Sequence, residues 1–134
     1  EVSRLAEKVA AGGHFVQTQP VFDLETVESF AGALDAAGVR VPVLYGLMPL
    51  RDPAFARRMA AIPGVRIPEW VMRRLEAGGP AEGLRLAAEL AARLAGAGAG
   101  IHIFPMGDLG VVRAVVGALD GRRAGRQAAG LSGA

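Results

Sequence analysis

The chain has 134 residues, 51% hydrophobic and 21% charged, with a formal net charge of +2 and no cysteine. That length suits one domain, the apolar fraction argues against disorder, and the absent thiols remove disulfides, thiolate metal sites and cysteine nucleophiles together. The lack of cysteine leads to the expectation of a cytoplasmic protein. No apolar run approaches the roughly 20 residues that cross a bilayer, and EVSRLAEKVA lacks the apolar core of a signal peptide, so no membrane partner is expected.

Taken in chain order, Val2, Leu5 and Val9 recur at helical spacing with Arg4, Glu7 and Lys8 between them. This predicts the end of an amphipathic helix over 2–11, stopped by Gly12 and Gly13. His14–Phe22 (HFVQTQPVF) gathers β-branched and aromatic residues and turns polar, as a strand does near its end. Asp23 is placed to cap a helix over 24–37, with Leu24, Val27, Phe30, Ala31 and Leu34 on one face and Gly38 closing it. Val41–Leu47 (VPVLYGL) is almost wholly apolar, the pattern of a parallel strand covered on both faces. Asp52 and Pro53 open a short helix over 53–61, and Ile67-Pro68 opens another over Glu69–Ala77. After Gly78-Gly79-Pro80 comes a long Ala/Leu helix over 81–95, with Leu84, Ala87, Ala88, Ala91 and Leu94 facing inward. Gly100–Pro105 (GIHIFP) reads as a third strand, followed by a helix over Leu109–Leu119. Residues 121–134, GRRAGRQAAGLSGA, are expected to form a flexible Arg/Gly/Ala tail. Removing Arg122, Arg123 and Arg126 leaves the remaining chain at −1, and no aromatic residue lies among them, so nucleic acid is not an expected partner.

Strands alternating with helices imply right-handed crossovers and a parallel sheet. The strand ends carry Thr18, Gln19 and Pro20, then Met48 and Pro49, then Pro105 and Met106. That edge is the ligand side of a (βα)8 barrel and equally of an open doubly wound sheet, and the pattern alone does not choose between them.

Gln17 and Gln19 lie two apart on one strand and share a side, with Thr18 on the other. An amide that donates and accepts at once suits a heterocycle with adjacent N–H and C=O groups, although spacing alone favours strand-end residues bonded to nearby loops. His14 and His102 open strands at the opposite end and lack a third ligand, so they are expected to be structural, with no metal. GAGAG over 96–100 precedes a strand and is no phosphate loop, and Asp108 is placed to cap the last helix. Most methionines are expected to fill the core. Met48 and Met106, at the ligand edge, are stronger candidates for contact with a ligand. No nucleophile–histidine–acid set and no catalytic carboxylate pair is visible.

Four stretches carry a resemblance. KVAAGGHFVQTQPVFD, from Lys8, resembles the segment of methylenetetrahydrofolate reductases that runs from a lysine-bearing helix into a strand ending in T-Q. VPVLYGLMPL, GVRIPEWVMRRLE and GIHIFPMG are similar, in order, to later parts of the same family, so the likeness spans roughly residues 1–119. It implies a flavin-dependent (βα)8 barrel that reduces 5,10-methylenetetrahydrofolate to 5-methyltetrahydrofolate. FAD there takes a hydride from NAD(P)H, or electrons from another donor, and passes it to the folate. The implied fold is α/β, the C-terminal half of a TIM barrel over residues 1–120: three βα units preceded by one helix.

Carried over residue by residue, Lys8 matches a lysine that contacts FAD, Glu1 falls at an acidic FAD-contacting position, and Arg4 is its neighbour on the helix. Gln19 matches a glutamine that hydrogen-bonds the pterin of the tetrahydrofolate substrate. Phe55 and Met59 stand where the family commonly has an aromatic residue and a glutamine that touch folate or nicotinamide. Phe104 stands where some members have a substrate-side tyrosine, and Asp108 replaces an arginine of those members. QTQPVFD with HIFPMG looks closer to the branch sometimes fused to methyltransferase domains. The proton-donating glutamate and most FAD contacts belong to the N-terminal barrel half, so no catalytic residue is expected in residues 1–134. By itself the chain is expected neither to hold FAD tightly nor to reduce folate. The alternative is a non-catalytic assembly or binding module that pairs with itself, as a homo-oligomer, or with another chain to cover open sheet edges.

Overall fold

The computed structural model describes residues 2–131, with side chains described over 2–120. The elements are α1 (Val2–Ala10), β1 (Val16–Pro20), α2 (Leu24–Ala36), β2 (Val43–Leu47), α3 (Pro53–Ala60), α4 (Glu69–Gly96), β3 (Gly100–Ile103) and α5 (Leu109–Leu131). The strands form one parallel, open sheet in the order β1-β2-β3, with Val16 opposite Val43 and Leu44 opposite Gly100. Each strand is shorter than its apolar run, because ladder pairing sets the bounds. Phe15, inside the expected first strand, precedes the ladder and is 58% exposed.

Local chemistry sets the helix starts. Asp23 Oδ1 accepts from Thr26 N–H at 2.8 Å, and Asp52 Oδ1 from Phe55 N–H at 2.6 Å with Pro53 in the first turn, so both expected caps form. The two helices expected over 69–77 and 81–95 join end to end as α4, bent at Gly79, whose φ of 64° and ψ of −155° suit glycine. Beyond the bend, the backbone of α4 lies against the loop that follows β2. A Cβ on Gly83 would fall 1.8 Å from the Leu50 carbonyl oxygen. Helix α5 continues past Leu119, its expected end, to Leu131. The expected tail over 121–134 falls on positions whose side chains lie outside the described residues.

Two apolar clusters hold these elements. The larger packs Tyr45 and Leu47 of β2 against Val27 of α2, Leu90 and Leu94 of α4 and Val115 of α5, with Ile101 and Ile103 beside them. The second lies past the end of β2 and joins Met48, Leu50, Phe55, Val71 and Leu75. Both-face coverage of β2, expected from its apolar run, is not what forms. Tyr45 and Leu47 face the helices, whereas Leu44 and His102 belong to neither cluster and stay half-buried. No described helix is long and apolar enough to cross a membrane.

Candidate functional site

The bare edge of β1 and the facing side of α1 enclose a groove of about 870 Å³. One wall carries Arg4, Leu5 and Lys8, the other Gln17, Thr18 and Gln19, and Phe104 closes one side. Arg4 and Lys8 are one helical turn apart, which stacks two cationic side chains on the same face of α1. Gln17 and Gln19 are exposed and both reach the groove. Thr18 also lines it, through a break in the ladder that spacing does not reveal. Gln17 pairs with Leu44 and Pro20 with Gly46, so β1 holds one extra residue there.

Gly46 makes this junction possible. A Cβ on it would lie 2.9 Å from the Gln19 carbonyl oxygen and 2.7 Å from the Phe104 ring. The Phe104 ring in turn meets His102 edge-on, with centroids 4.6 Å apart. His102 is level with Gly46, inside β3 and not at its start, because β3 has already begun at Gly100. His14 precedes β1 and is exposed. Among the described residues no group of histidine and carboxylate side chains could hold a metal ion.

The groove thus brings together four of the residues singled out from sequence: Arg4, Lys8, Gln19 and Phe104. Glu1 lies outside the described residues. Phe55 and Met59 go elsewhere. Phe55 is 3% exposed in the second cluster, with the Arg51 and Arg58 guanidinium carbons 4.6 and 5.6 Å from its ring centre, and Met59 packs on the same cluster. Phe104 also touches that cluster and so links it to the groove. Met48 is buried there, whereas Met106 is 52% exposed at a φ of 49°, a left-handed conformation uncommon outside glycine. Asp108 accepts from Gly110 N–H at 2.8 Å and caps α5, as expected.

Two features escape a reading by pattern. Thr18 is one of three polar residues in a row, with nothing to mark it apart. Glu82, on a helix otherwise rich in Ala and Leu, is 6% exposed and bonds Arg74 Nε at 2.6 Å, with Arg85 3.0 Å away. Arg74 also grips Glu89 at 3.0 and 3.2 Å, and that bond holds the Glu89 carboxyl below its ordinary range. This network spans the bend of α4, where Gly78 leaves room for the Glu82 side chain.

The described lining of the groove has no carboxylate and no histidine. Such a lining can offer cations to an anionic group at α1 and amides to a polar heterocycle at β1, with apolar surface between. The volume lies within the usual range for small-molecule and cofactor sites.

Comparison with known proteins gives this arrangement a context. The sequence profile of the family described as methylenetetrahydrofolate reductase matches residues 1–119. Methylenetetrahydrofolate reductase 2 of Saccharomyces cerevisiae is 32% identical over 76 residues, covering 57% of this chain and 13% of the yeast protein. The 5,10-methylenetetrahydrofolate reductase of Salmonella typhimurium is also 32% identical over 76 residues, covering 57% of this chain and 26% of the bacterial protein. Methylenetetrahydrofolate reductase 1 of Schizosaccharomyces pombe is 29% identical over 113 residues, which cover 78% of this chain and 19% of that protein. In these three relatives, the matched segment spans about a quarter of the protein or less.

Proposed function

We propose, from the premise that the chain belongs to the methylenetetrahydrofolate reductase family, that it forms the folate-facing part of a flavin-dependent reductase converting 5,10-methylenetetrahydrofolate to 5-methyltetrahydrofolate. The three βα units and α1 then make up the C-terminal half of a (βα)8 barrel, a fold of about 250 residues when closed. The half-buried side of the sheet, with Leu44 and His102, becomes the barrel interior. The single observation that carries the reading is the groove, which gathers Arg4, Lys8, Gln19 and Phe104 from three separate parts of the chain.

Arg4 and Lys8 would hold the phosphates of FAD, since two cations one turn apart complement a pyrophosphate. Bound there, FAD supplies the redox chemistry, charged by NAD(P)H or another donor. The remaining work of this chain is placement. Gln19 presents one amide that both accepts from and donates to the pterin, which fixes the ring's orientation. Phe104 gives the ring an apolar surface and excludes water from one side. Proton transfer falls to groups outside the described lining.

Nuclear magnetic resonance of the ¹⁵N-labelled chain tests this directly, because it detects weak binding. Titration with 5-methyltetrahydrofolate is expected to shift the Gln19 side-chain amide and its neighbours on β1, and Gln19→Ala is expected to abolish the response. An unresponsive β1 at saturating ligand overturns the assignment of the pterin site.

A second reading draws on the bare edge of β1 and the incompletely covered sheet: an assembly module that pairs with itself or another chain. Sedimentation distinguishes the two, since a monodisperse dimer that ignores folate favours assembly.

A further inference from the structure

The β1–β2 ladder is regular except at one step. Between Gln17 and Pro20, β1 advances three residues while β2 advances two, from Leu44 to Gly46. At that step the Gly46 N–H donates to the Thr18 hydroxyl oxygen, at 3.0 Å, beside the ladder pairing that sets Pro20 opposite Gly46. The same hydroxyl donates its own proton to the Gln19 carbonyl, at 2.7 Å. Pairing resumes one turn of the ladder later, where Val21 N–H donates to the Gly46 carbonyl at 2.9 Å. Gly46 offers no Cβ, so the Gln19 carbonyl and the Phe104 ring can both close on it.

We infer that Thr18 is a positioning residue for Gln19: its hydroxyl, bridging Gly46 N–H and Gln19 C=O, locks the extra residue of β1 and so sets the direction in which the Gln19 amide enters the groove. The inference rests on the reading of Gln19 as the pterin-binding amide. An extra residue in a strand re-aims the side chains beside it, and such a step stays open to other geometries unless its orphaned polar groups are satisfied. Here the amide and the carbonyl that face each other across the step are tied a second time through Thr18, which accepts from one and donates to the other. A hydroxyl serves both at once, whereas a backbone carbonyl could serve only the first. Valine keeps the shape of threonine and serves neither. Serine keeps the hydroxyl and loses only the methyl group.

The test compares the ¹⁵N-labelled chain with Thr18→Val, Thr18→Ser and Gln19→Ala, using 5-methyltetrahydrofolate as the probe. In Thr18→Val, helical circular dichroism is expected to stay unchanged while exchange of the Gly46 amide quickens about tenfold, the loss of one hydrogen bond. The affinity read at the Gln19 side-chain amide is expected to fall by about the same factor. Thr18→Ser is expected to restore both, a rescue that a merely space-filling role would not produce. Unchanged Gly46 exchange and unchanged ligand response in Thr18→Val overturn the inference. So does a Thr18→Ser chain that folds but loses the Gln19 response, which keeps the question decidable where valine prevents folding. A parent chain that ignores the probe overturns the pterin reading. The positioning role is then still decided by whether Gly46 exchange and the Gln19 side-chain resonances change in valine and return in serine.

Discussion

Helix α1 buries no residue, whereas α4 buries Val71, Leu75, Leu90 and Leu94 and presses Gly83 onto the backbone after β2. Both have an apolar stripe in the sequence. The stripe of α4 finds the sheet and the second cluster; that of α1, with Val2, Leu5 and Val9 only half-buried, faces the groove and the bare edge of β1. A stripe states that a helix wants a partner, and it contributes stability only where the partner is present. Stability is therefore concentrated around α4, whereas the proposed cofactor contacts fall on α1, the division expected when binding elements come from the less stable end of a fold.

Substitutions graded by effect can break this contrast. Gly83→Ala places a methyl group into the Leu50 carbonyl, and a loss of about 4 kcal/mol or outright unfolding is expected in urea denaturation. Leu94→Ala empties a site only 1% exposed and should cost about 3 kcal/mol in the same assay. Glu82→Gln removes the charge that joins Arg74 and Arg85 across the bend, with about 1–2 kcal/mol expected. Acid titration should show a smaller contribution from Glu89. Its carboxyl is held low by the Arg74 hydrogen bond, so its share of stability is present above the ordinary value of 4.5 and is lost as pH falls through the lower folded value. More than half of that side chain is exposed, which keeps the effect small, and Glu89→Gln should remove it from the acid limb. Lys8→Ala should change stability least, within about 0.5 kcal/mol, while weakening the chemical-shift response of α1 to FAD. A large stability loss there would erase the contrast between the helices.

Much of the fold is legible before any coordinates. Apolar periodicity gives the order of strands and helices, Asp23, Asp52 and Asp108 mark helix starts, and Gly78-Gly79-Pro80 marks the bend. These are local signals, each decided by a few neighbouring residues. The candidate site is legible in part. Resemblance points to Gln19, Lys8, Arg4 and Phe104, which the fold gathers, and also to Phe55, which the fold buries. Phe55 sits on a short helix, and its side chain joins a cluster with Val71 and Leu75, which lie on a different helix.

Sequence by itself determined that this chain makes parallel βα units with a polar strand end, since hydrophobic period, caps and glycine breaks act over a few residues. Only tertiary structure decided that one side of β2 is covered, that Gly46 must lack a Cβ, and that the Thr18 hydroxyl bridges Gly46 N–H and the Gln19 carbonyl. Each of those depends on atoms that meet only in the folded chain, as Thr18 meets Gly46 across 28 residues, and backbone polar groups accept whichever partner the completed sheet brings to them.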